Sequence, residues 1–535
     1  MTSLVAPTFT FTLSTRSNAA RFGPRIGTIS LKRPIPSSSS ENDLQISTPS
    51  LITTTSRGVV PHLSRDHHSQ TSAIKWVNVP FETFLEHNPP VPTLQPGNDP
   101  LHTFLGFGLG RHLVSMTARD PADGREMPPN GNKQISAMTL RGVRKLSPTE
   151  WRNYTQTCNP DIVFALSDTP FTDPPYSQKR LTKSIDRSAS WLATMLAPSP
   201  RGTPNIILHM AGNTSIPART AFSSSLLEPL FGPEAEAIAP FKTLDEGVTG
   251  YSFDLVPIRQ GIDALERKNG IDAPVSIAPL FESSLNRLPT EKIRIVNSVQ
   301  TPHEVLDLIS TIGIDMFSAE CAQNAANVGV AFDFAFPVRG GEVVGEKKQL
   351  GHNLYDTKYA FDFIPFADSF RGELPPDTNG VQQTVVDETL PVCPCMACSP
   401  FTPPSRLYHG VDTPDHSLAE EQFTHPDGSS LYQPPFTRAY LHHLLHTHEM
   451  SAHALLAMHN LEVFESFFKG IREVIAANEG REDGEKRWNV EVQRFKDTYD
   501  DNLRVVEEAS VGWKEVDLAR GKGRLAREKE EVVAE

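Results

Sequence analysis

Three cysteines within six residues form the strongest chemical signal in the sequence, Cys393-Pro-Cys-Met-Ala-Cys398. Thiolates at this C-x-C-x2-C spacing can share one tetrahedral Zn²⁺, each at about 2.3 Å from the metal. A disulfide between Cys393 and Cys395 is disfavoured, because residues one position apart seldom reach disulfide geometry. The pattern implies no open coordination position, so it predicts a structural rather than a catalytic zinc site.

Three thiolates leave one place in a tetrahedral site, and the helical stretch that follows offers histidines to fill it. A histidine on a helix is more often solvated or hydrogen-bonded than metal-bound, so we expect at most one of them to be a ligand. Spacing alone does not select among the six candidates, which are His442, His443, His446, His448, His453 and His459.

The composition limits the kind of protein that carries these residues. The 535 residues include 50 Lys+Arg and 64 Asp+Glu, a net charge of −14, which argues against strong autonomous binding of nucleic acid. Five cysteines are too few, and odd in number, for a disulfide-stapled secreted fold. No apolar run reaches the roughly 18 residues of a transmembrane helix. The high proline count (45) and the low hydrophobic fraction (38%) predict one portion that forms a core and long Pro-rich or charged segments that add length but no core.

Alternating strand and helix patterns predict the scaffold that positions the site. Apolar runs alternate with stretches of helical periodicity such as Ser177–Ala197 and Thr301–Ile312, where Thr301 is the expected N-cap. Repeated strand–helix units indicate a parallel sheet, and their number favours an α/β fold of the eight-stranded (β/α)8 TIM type. The predicted strands are Asp161–Asp168, Asn205–Gly212, Gly250–Val256, Ile293–Val299 and Ile314–Ser318.

The first 40 residues allow two interpretations. They contain no Asp or Glu and five Lys/Arg among many Ser and Thr, a composition typical of a mitochondrial transit peptide. However, Phe9–Ser14 and Gly27–Lys32 alternate apolar and polar residues as short strands do. We favour the strand interpretation.

The C-terminal part differs from the barrel in composition. Arg438–Val474 predicts one strong helical stretch, whereas residues 481–535 hold 27 charged residues out of 55 and predict solvated helices outside the core. The expected domains are a barrel with N-terminal strands over 1–390, a zinc-binding subdomain with its helix over 391–478, which includes an inserted loop at 399–436, and a charged helical or disordered tail over 479–535.

The cysteine-containing region resembles the tRNA-guanine transglycosylase family, whose members exchange a base in the tRNA anticodon. The resemblance covers about residues 9–475 apart from insertions, and Ile293–Phe317 is similar to the segment that precedes the family's catalytic aspartate. The other similar stretches, besides the three cysteines, are Phe11–Leu31, Thr48–Pro61, Arg438–Leu444, Thr447–Met450 and Met458–Asn460.

The resemblance implies a metal and its ligands. In the family, three cysteines and the histidine of a His-Asn pair hold zinc. Carried over, the ligands of one Zn²⁺ per subunit are Cys393, Cys395, Cys398 and His459. Sixty residues separate Cys398 from His459, more than in the family, because of the insertion at 399–436. A loop leaves ligand geometry intact if its ends stay close.

The nucleophile is the clearest departure from the family pattern. Catalytic members have an aspartate directly after Met-Phe, which attacks the ribose anomeric carbon and carries the covalent tRNA intermediate. Ser318 occupies that position here. A hydroxyl is uncharged at neutral pH and needs a base for activation. The resemblance therefore implies no catalytic residue in this chain.

The motifs that bind the leaving and entering bases also differ. The family's D-S-G-G-F-Q is missing from the corresponding stretch His112–Asp120, and its two base-pocket motifs are replaced by His209–Asn213 and Phe253–Leu255. Asp168 stands where the family has a base-binding acid, although a polar residue that caps the loop after a strand is an equal interpretation. We expect no cofactor-binding residues beyond the zinc ligands.

A retained scaffold and zinc site without catalytic residues predict a non-catalytic subunit. The resemblance implies a heterodimer with a catalytic queuine tRNA-ribosyltransferase subunit and contact with tRNA through that complex. Such an enzyme replaces guanine by queuine at the wobble position of tRNAs with G-U-N anticodons. The implied location is cytoplasmic, with the mitochondrial outer surface as a second site.

Two other functions stay open at this point. The chain could be an active transglycosylase that uses a displaced acid, either Glu320, two residues past Ser318, or Asp315, which lies within the predicted strand. It could also be a zinc-stabilised scaffold unrelated to tRNA.

Overall fold

The computed structural model describes most of the chain and divides it into two compact units. The described residues are 7–14, 21–33, 43–169, 174–199, 202–269, 276–338, 346–368, 393–398 and 435–521. The barrel unit comprises the described residues within 1–65, 73–321 and 468–493. The cysteine unit comprises those within 66–72, 322–467 and 494–535.

Strands and helices alternate along much of the described chain. The strands are β1 Thr8–Leu13, β2 Gly27–Lys32, β3 Asp43–Thr48, β4 Ser50–Thr54, β5 Trp76–Pro80, β6 Leu113–Thr117, β7 Ile135–Thr139, β8 Gly142–Leu146, β9 Ile162–Phe164, β10 Asn205–His209, β11 Gly250–Asp254, β12 Ile293–Asn297, β13 Met316–Ser318, β14 Val330–Phe332 and β15 Gly351–Asn353. The helices are α1 Arg65–Gln70, α2 Pro100–Leu105, α3 Pro148–Cys158, α4 Gln178–Leu196, α5 Ile216–Leu227, α6 Pro233–Ala237, α7 Leu255–Asn269, α8 Ala278–Leu285, α9 Pro302–Thr311, α10 Glu320–Asn327, α11 Arg438–His446, α12 Met450–Asn478, α13 Gly484–Thr498 and α14 Arg504–Gly521. None of these helices combines the length and apolarity needed to cross a membrane.

Eight parallel strands close into a barrel, which confirms the predicted (β/α)8 TIM-type fold. Their order is β4, β5, β6, β9, β10, β11, β12 and β13, and the ring closes where Met316 of β13 pairs with Ser50 of β4. Strands of such a barrel are covered on both faces and therefore read as continuous apolar runs rather than alternating ones. All five residues of β12, Ile293–Asn297, are accordingly buried.

An antiparallel sheet of β1, β2 and β3 adds to the barrel core, which confirms the strand interpretation of the first residues. Ile29 and Ile46 of this sheet share one buried cluster with Trp76 and Met316 from the barrel strands. Arg25, just before β2, donates from Nε to Asp315 Oδ1 over 2.8 Å. The N-terminal segment is therefore part of the fold of the barrel unit.

Four of the five predicted strands are correct in place but too long at their carboxyl ends, whereas Ile314–Ser318 is too long at its amino end, since β13 begins at Met316. The stretch predicted as Asp161–Asp168 is a strand only over Ile162–Phe164, and Gly250–Val256 only over Gly250–Asp254. Helix α9 has the predicted cap, in which Thr301 Oγ1 accepts from the Glu304 N–H over 3.1 Å. Residues 165–168, 210–212 and 298–299 instead follow their strands as loops, and Leu255 and Val256 begin α7.

Two predictions for the C-terminal part are wrong. Arg438–Val474 is not one helix, because the chain breaks between α11 and α12, where His448 adopts a left-handed backbone with φ of 62°. The charged segment after residue 480 is not outside the core, because α13 and α14 bury Phe495 and Trp513. The predicted inserted loop at 399–436 lies outside the described residues up to position 434, as do residues 522–535 of the predicted tail.

Candidate metal centre and barrel mouth

Three cysteines and one histidine lie together in the cysteine unit. The ligand atoms of Cys393, Cys395, Cys398 and His459 all lie within 4.8 Å of one another, and all four residues are buried. His459 Nδ1 is 3.7 Å from the sulfur of Cys393 and 3.5 Å from each of the other two. A tetrahedral Zn²⁺ with ordinary bond lengths places a sulfur and a nitrogen about 3.5 Å apart. The four residues therefore fit one tetrahedral metal ion of the size of zinc.

The backbone of β14 fixes the orientation of His459. Its Nε2 donates to the carbonyl of Phe332 over 2.9 Å, which leaves Nδ1 free to face the three sulfurs. A metal-binding histidine typically donates its second ring nitrogen to such an acceptor. The neighbouring Asn460 accepts from the Phe332 N–H over 2.8 Å and donates to the carbonyls of Ala322 and Val330. The His-Asn pair thus ties α12 to β14 and its surroundings by four hydrogen bonds.

The cysteine segment is closed by its own backbone. The Cys398 N–H lies 3.3 Å from the Cys395 sulfur and 3.1 Å from the Cys395 carbonyl. The Phe436 N–H donates to the carbonyl of Ala397 over 2.9 Å, so the chain returns at 436 to the point where it left. Burial opposes ionisation of Cys395, but hydrogen bonds from its neighbours hold the pKa of this thiol well below the usual range. A thiolate in this position is the form that binds a metal.

Only His459 of the six candidate histidines lies with the cysteines in the described structure. His442 Nδ1 lies 3.0 Å from the carbonyl of Leu354, and His453 Nδ1 lies 3.0 Å from that of Ala326. The ring of His446 stacks on Tyr355. These contacts agree with the expectation that most of the histidines serve packing and hydrogen bonding.

A second polar cluster in the cysteine unit was missed by the sequence analysis. Asp333, His352 and Asp368 bring their ligand atoms within 4.8 Å of one another. The guanidinium of Arg438 lies among them, with one nitrogen 3.0 Å from His352 Nε2 and 3.0 Å from Asp368 Oδ1. A fixed positive charge there disfavours a second cation. Arg438 also donates to the carbonyl of Phe366, whose ring contacts His459, so the cluster supports the metal centre.

At the barrel mouth, Ser318 ends β13 as a fully buried residue. Its hydroxyl donates to the carboxylate of Glu320. The Ser298 N–H lies 2.6 Å from Ser318 Oγ and 3.1 Å from Glu320 Oε2, and Ser298 holds a left-handed φ of 65°. Burial raises the pKa of Glu320 to about 7. The negative charge of Asp120 also raises this pKa, whereas the hydrogen bond from Ser318 lowers it. Ser298 Oγ in turn donates to the carbonyl of Pro121, in the loop after β6.

A cavity of roughly 800 Å³, part of it open to solvent, lies at the same end of the barrel. Among the described residues, the loop after β6 lines it with Arg119 and Asp120, and the strand ends contribute His209, Asp254 and Asn297. Asn297 donates to Asp254 over 2.7 Å. Neither Ser318 nor Glu320 belongs to the lining.

Comparison with known proteins identifies the family. A family model described as queuine tRNA-ribosyltransferase matches residues 22–232 and 261–490. The chain belongs to the queuine tRNA-ribosyltransferase family. This membership confirms the resemblance that the cysteine pattern and the barrel motifs carried.

Curated relatives within the family cover most of the chain. A protein of Schizosaccharomyces pombe is 24% identical over 481 residues, which is 89% of this chain and 82% of the relative. A protein of Drosophila melanogaster is 24% identical over 81% of this chain and 83% of its own length. A third, from Aedes aegypti, is 22% identical over 84% and 86%. All three relatives are named "Queuine tRNA-ribosyltransferase accessory subunit 2".

Two acids that the sequence analysis singled out in this family member are held by arginines. Asp168 binds Arg180 over 2.8 Å and Arg187 over 2.9 Å, and Asn130 donates to it over 2.9 Å. Asp315 accepts from Arg25 and from a backbone N–H of β12. Both carboxylates are therefore held by charged or backbone donors of the barrel unit. The two arginines of α4, seven positions apart on one helix face, were the sequence signal that could have revealed the first pairing.

Proposed function

We propose that the chain is the non-catalytic subunit of a heterodimeric queuine tRNA-ribosyltransferase. Together with a catalytic subunit it supports the exchange of guanine for queuine at the wobble position of tRNAs with G-U-N anticodons. The buried pair of Ser318 and Glu320 carries this proposal, because it occupies the place where the family's nucleophilic aspartate is expected. The accessory-subunit names of the relatives agree with it.

The geometry of this pair argues against chemistry at the site. A nucleophile must come within about 3–3.5 Å of the ribose carbon in an aligned position. Ser318 is fully buried, and the loop after β6 reaches across through the contact of Ser298 with Pro121. Activation of the hydroxyl also requires a base that releases it toward the substrate, whereas Glu320 holds it in a buried hydrogen bond.

An active enzyme with a displaced acid is the second candidate function. The raised pKa of Glu320, about 7, is the observation that favours it, because such a carboxyl can exchange protons near neutral pH. Its burial and its absence from the lining of the mouth cavity oppose this role. The alternative acid, Asp315, is held by Arg25 and a backbone N–H. We therefore assign no catalytic residue.

For the metal centre, we propose that Cys393, Cys395, Cys398 and His459 hold one Zn²⁺. Four protein ligands close a tetrahedral shell, so the ion would be structural and would stabilise the fold around α12. We place the zinc-binding subdomain at about 391–478 and the barrel with its N-terminal strands at about 1–390. The third part of this division is the charged C-terminal segment over 479–535, which contains helices α13 and α14.

A subunit without a nucleophile has a clear physical use in base exchange. One active site per tRNA suffices for the reaction, so a second barrel needs only an interface with its partner and contacts with the RNA. We propose the cytoplasm as the location, with the outer mitochondrial surface as a second one. The partner is the catalytic queuine tRNA-ribosyltransferase subunit.

A base-exchange assay tests this function. Labelled queuine or guanine is offered to tRNA with this chain alone, with the catalytic subunit alone, and with both. We expect no incorporation by this chain alone and a clear gain when it is added to the partner, together with co-elution of the two chains. Incorporation by this chain alone that disappears in Glu320→Gln would favour the second candidate. Failure to associate with a catalytic subunit would favour a scaffold unrelated to tRNA.

A further inference from the structure

An exposed basic ribbon stands at the barrel mouth of the barrel unit. It is the antiparallel pair of β7 and β8, in which Ser136 pairs with Lys145 and Ala137 with Arg144. The first strand is largely buried, whereas β8 is exposed over Gly142–Lys145. The basic ribbon carries four exposed cations, Lys133, Arg141, Arg144 and Lys145.

The charge of the basic ribbon is opposite to that of the whole chain. The chain carries −14, but the stretch from Met127 to Thr149 contains these four cations and no Asp or Glu. None of the four forms an ion pair with a described residue. Other exposed arginines do, as Arg125 does with Asp123 over 2.6 Å. The acids nearest to the ribbon, Glu82 and Glu86, accept from its backbone N–H groups at Met138 and Leu140, so the four cations keep no carboxylate partner of their own among the described residues.

The backbone of the ribbon, not its cations, holds it in place. Arg119 Nε donates to the carbonyl of Ser136 over 2.5 Å, and the Ser136 N–H donates to Asn130 Oδ1 over 3.1 Å. On the other side, the Met138 N–H donates to Glu82 over 3.2 Å. Ile135 lines the mouth cavity, which places the ribbon at its rim. The hydrogen bonds that fix the ribbon are thus made by its backbone, and its four cations are exposed.

Helix α4 extends the positive surface. Lys179, Lys183 and Arg187 follow one another at intervals of four residues, which places them on one face of the helix. Arg187 pairs with Asp168, so the exposed Lys179 and Lys183 supply the available charge of this face. Arg187 donates to Asn132 Oδ1 over 2.6 Å, next to Lys133 at the start of the ribbon. Asp186 is the single acid of α4.

We propose that the basic ribbon and this face of α4 contact the phosphate backbone of the RNA, an inference that rests on the proposed function in tRNA base exchange. Charge complementarity supports RNA as the occupant, because Lys and Arg are the side chains that phosphate contacts use. The segment 127–149 contains no aromatic residue or histidine on which a base could stack. The contact is therefore with the backbone and independent of sequence.

The acidic body of the chain determines when this contact forms. A net charge of −14 repels a polyanion at long range, so the ribbon binds RNA that the catalytic subunit already holds. The contact adds affinity to the complex and gives this subunit little binding of its own.

Charge removal in the heterodimer tests the proposal. The ribbon variant carries Arg141→Gln, Arg144→Gln and Lys145→Gln. The matched control carries Lys268→Gln, Arg481→Gln and Lys486→Gln, three exposed cations of the same unit with the same reduction in charge. We expect the ribbon variant to bind tRNA roughly tenfold more weakly, with a salt dependence whose slope falls by about one for each phosphate that the variant no longer neutralises. The control keeps both values.

Three outcomes would overturn the proposal. One is unchanged tRNA affinity and salt slope of the ribbon variant in an intact heterodimer. Another is dissociation of the heterodimer by this variant, which would make the ribbon a protein interface. The third comes from photo-cross-linking residues placed at Val143 in the ribbon and at the exposed Val490 as a control. We expect tRNA capture at Val143 and none at Val490. Equal capture at both positions would contradict the ribbon contact. Failure of the unmodified pair to exchange bases would instead refute the proposed function.

Discussion

The hydroxyl of Ser318 donates a hydrogen bond to the carboxylate of Glu320, and the N–H of Ser298 lies between the two acceptors. Two side chains thus fill the space that a nucleophilic aspartate would need. The lack of catalytic activity that we propose therefore depends on Ser298, Ser318 and Glu320 together, and not on the substitution at position 318 alone. Ser298 contributes through its left-handed backbone, which aims its N–H at the pair.

Introduction of the missing acid by Ser318→Asp should not create an active enzyme. A second buried carboxylate beside Glu320 repels the first, so we expect the free energy of unfolding to fall by roughly 2–4 kcal/mol. Ser318→Asp combined with Glu320→Gln should recover much of that stability. Urea unfolding and a gel assay for a covalent tRNA adduct measure both effects. Base exchange by the single variant alone would contradict this account.

The raised pKa of Glu320 predicts a pH-dependent stability. The ordinary value is 4.5 and the folded value about 7, so between them the folded chain keeps a proton that the unfolded chain releases. The contribution of Glu320 to stability therefore decreases as pH rises from about 4.5 through 7. We expect Glu320→Gln to gain about 3 kcal/mol relative to wild type between pH 4.5 and 8. Exposed Glu485→Gln is the control, and equal pH profiles of all three proteins would refute the assignment.

Removal of one ligand should empty the metal centre. We expect Cys395→Ser and His459→Ala to lower the zinc content from one ion per chain toward zero and to destabilise the cysteine unit. His443→Ala is the matched control, because His443 is exposed on a helix, whereas alanine at His448 would add backbone strain. Metal analysis and thermal unfolding report the result. Full zinc occupancy in His459→Ala would exclude this ligand set.

Asn460 should matter for stability without touching the metal. Its buried amide makes three hydrogen bonds to the backbone, so Asn460→Ala leaves a buried N–H and two carbonyls without this partner. We expect a decrease of roughly 2–4 kcal/mol in unfolding free energy. We also expect weaker zinc retention against a chelator, since Phe332 positions His459. Wild-type behaviour in both measurements would show that the His-Asn pair has no such role.

Asp168→Asn distinguishes a structural acid from a base-binding one. The substitution leaves Arg180 and Arg187 without their carboxylate, so we expect about 3 kcal/mol of destabilisation. Base exchange by the heterodimer should keep its rate below the unfolding temperature. A specific rise in the KM for queuine, with stability unchanged, would instead indicate a base-binding role.

Local patterns were sufficient to predict the barrel and the three cysteines. Strand–helix alternation requires only neighbours in sequence, and the cap at Thr301 is a local signal that the structure reproduces. The choice among six histidines was different, since it depends on the Phe332 carbonyl, 127 residues from His459. Only the family resemblance selected the histidine that the structure places with the cysteines.

Tertiary packing explains the errors in the C-terminal part. The break at His448 lacks a glycine or proline, which are the usual signals that end a helix. In the charged segment, the few apolar residues occur among many charged ones. An overall composition dominated by charge therefore does not reveal that they are buried. Phe495 nevertheless packs against Phe334 and Phe467, and Trp513 against Tyr355. Burial of these rings depends on partners far away in sequence.

The hydrogen bond from the Phe436 N–H to the Ala397 carbonyl has a practical consequence. It joins the two ends of the intervening chain, so the length of that chain is not a parameter of the metal centre. The entropy of loop closure grows only with the logarithm of length, by about 0.6 kcal/mol for each doubling. The intervening segment is therefore a suitable place to insert a fluorescent domain or an affinity tag without changing the metal centre.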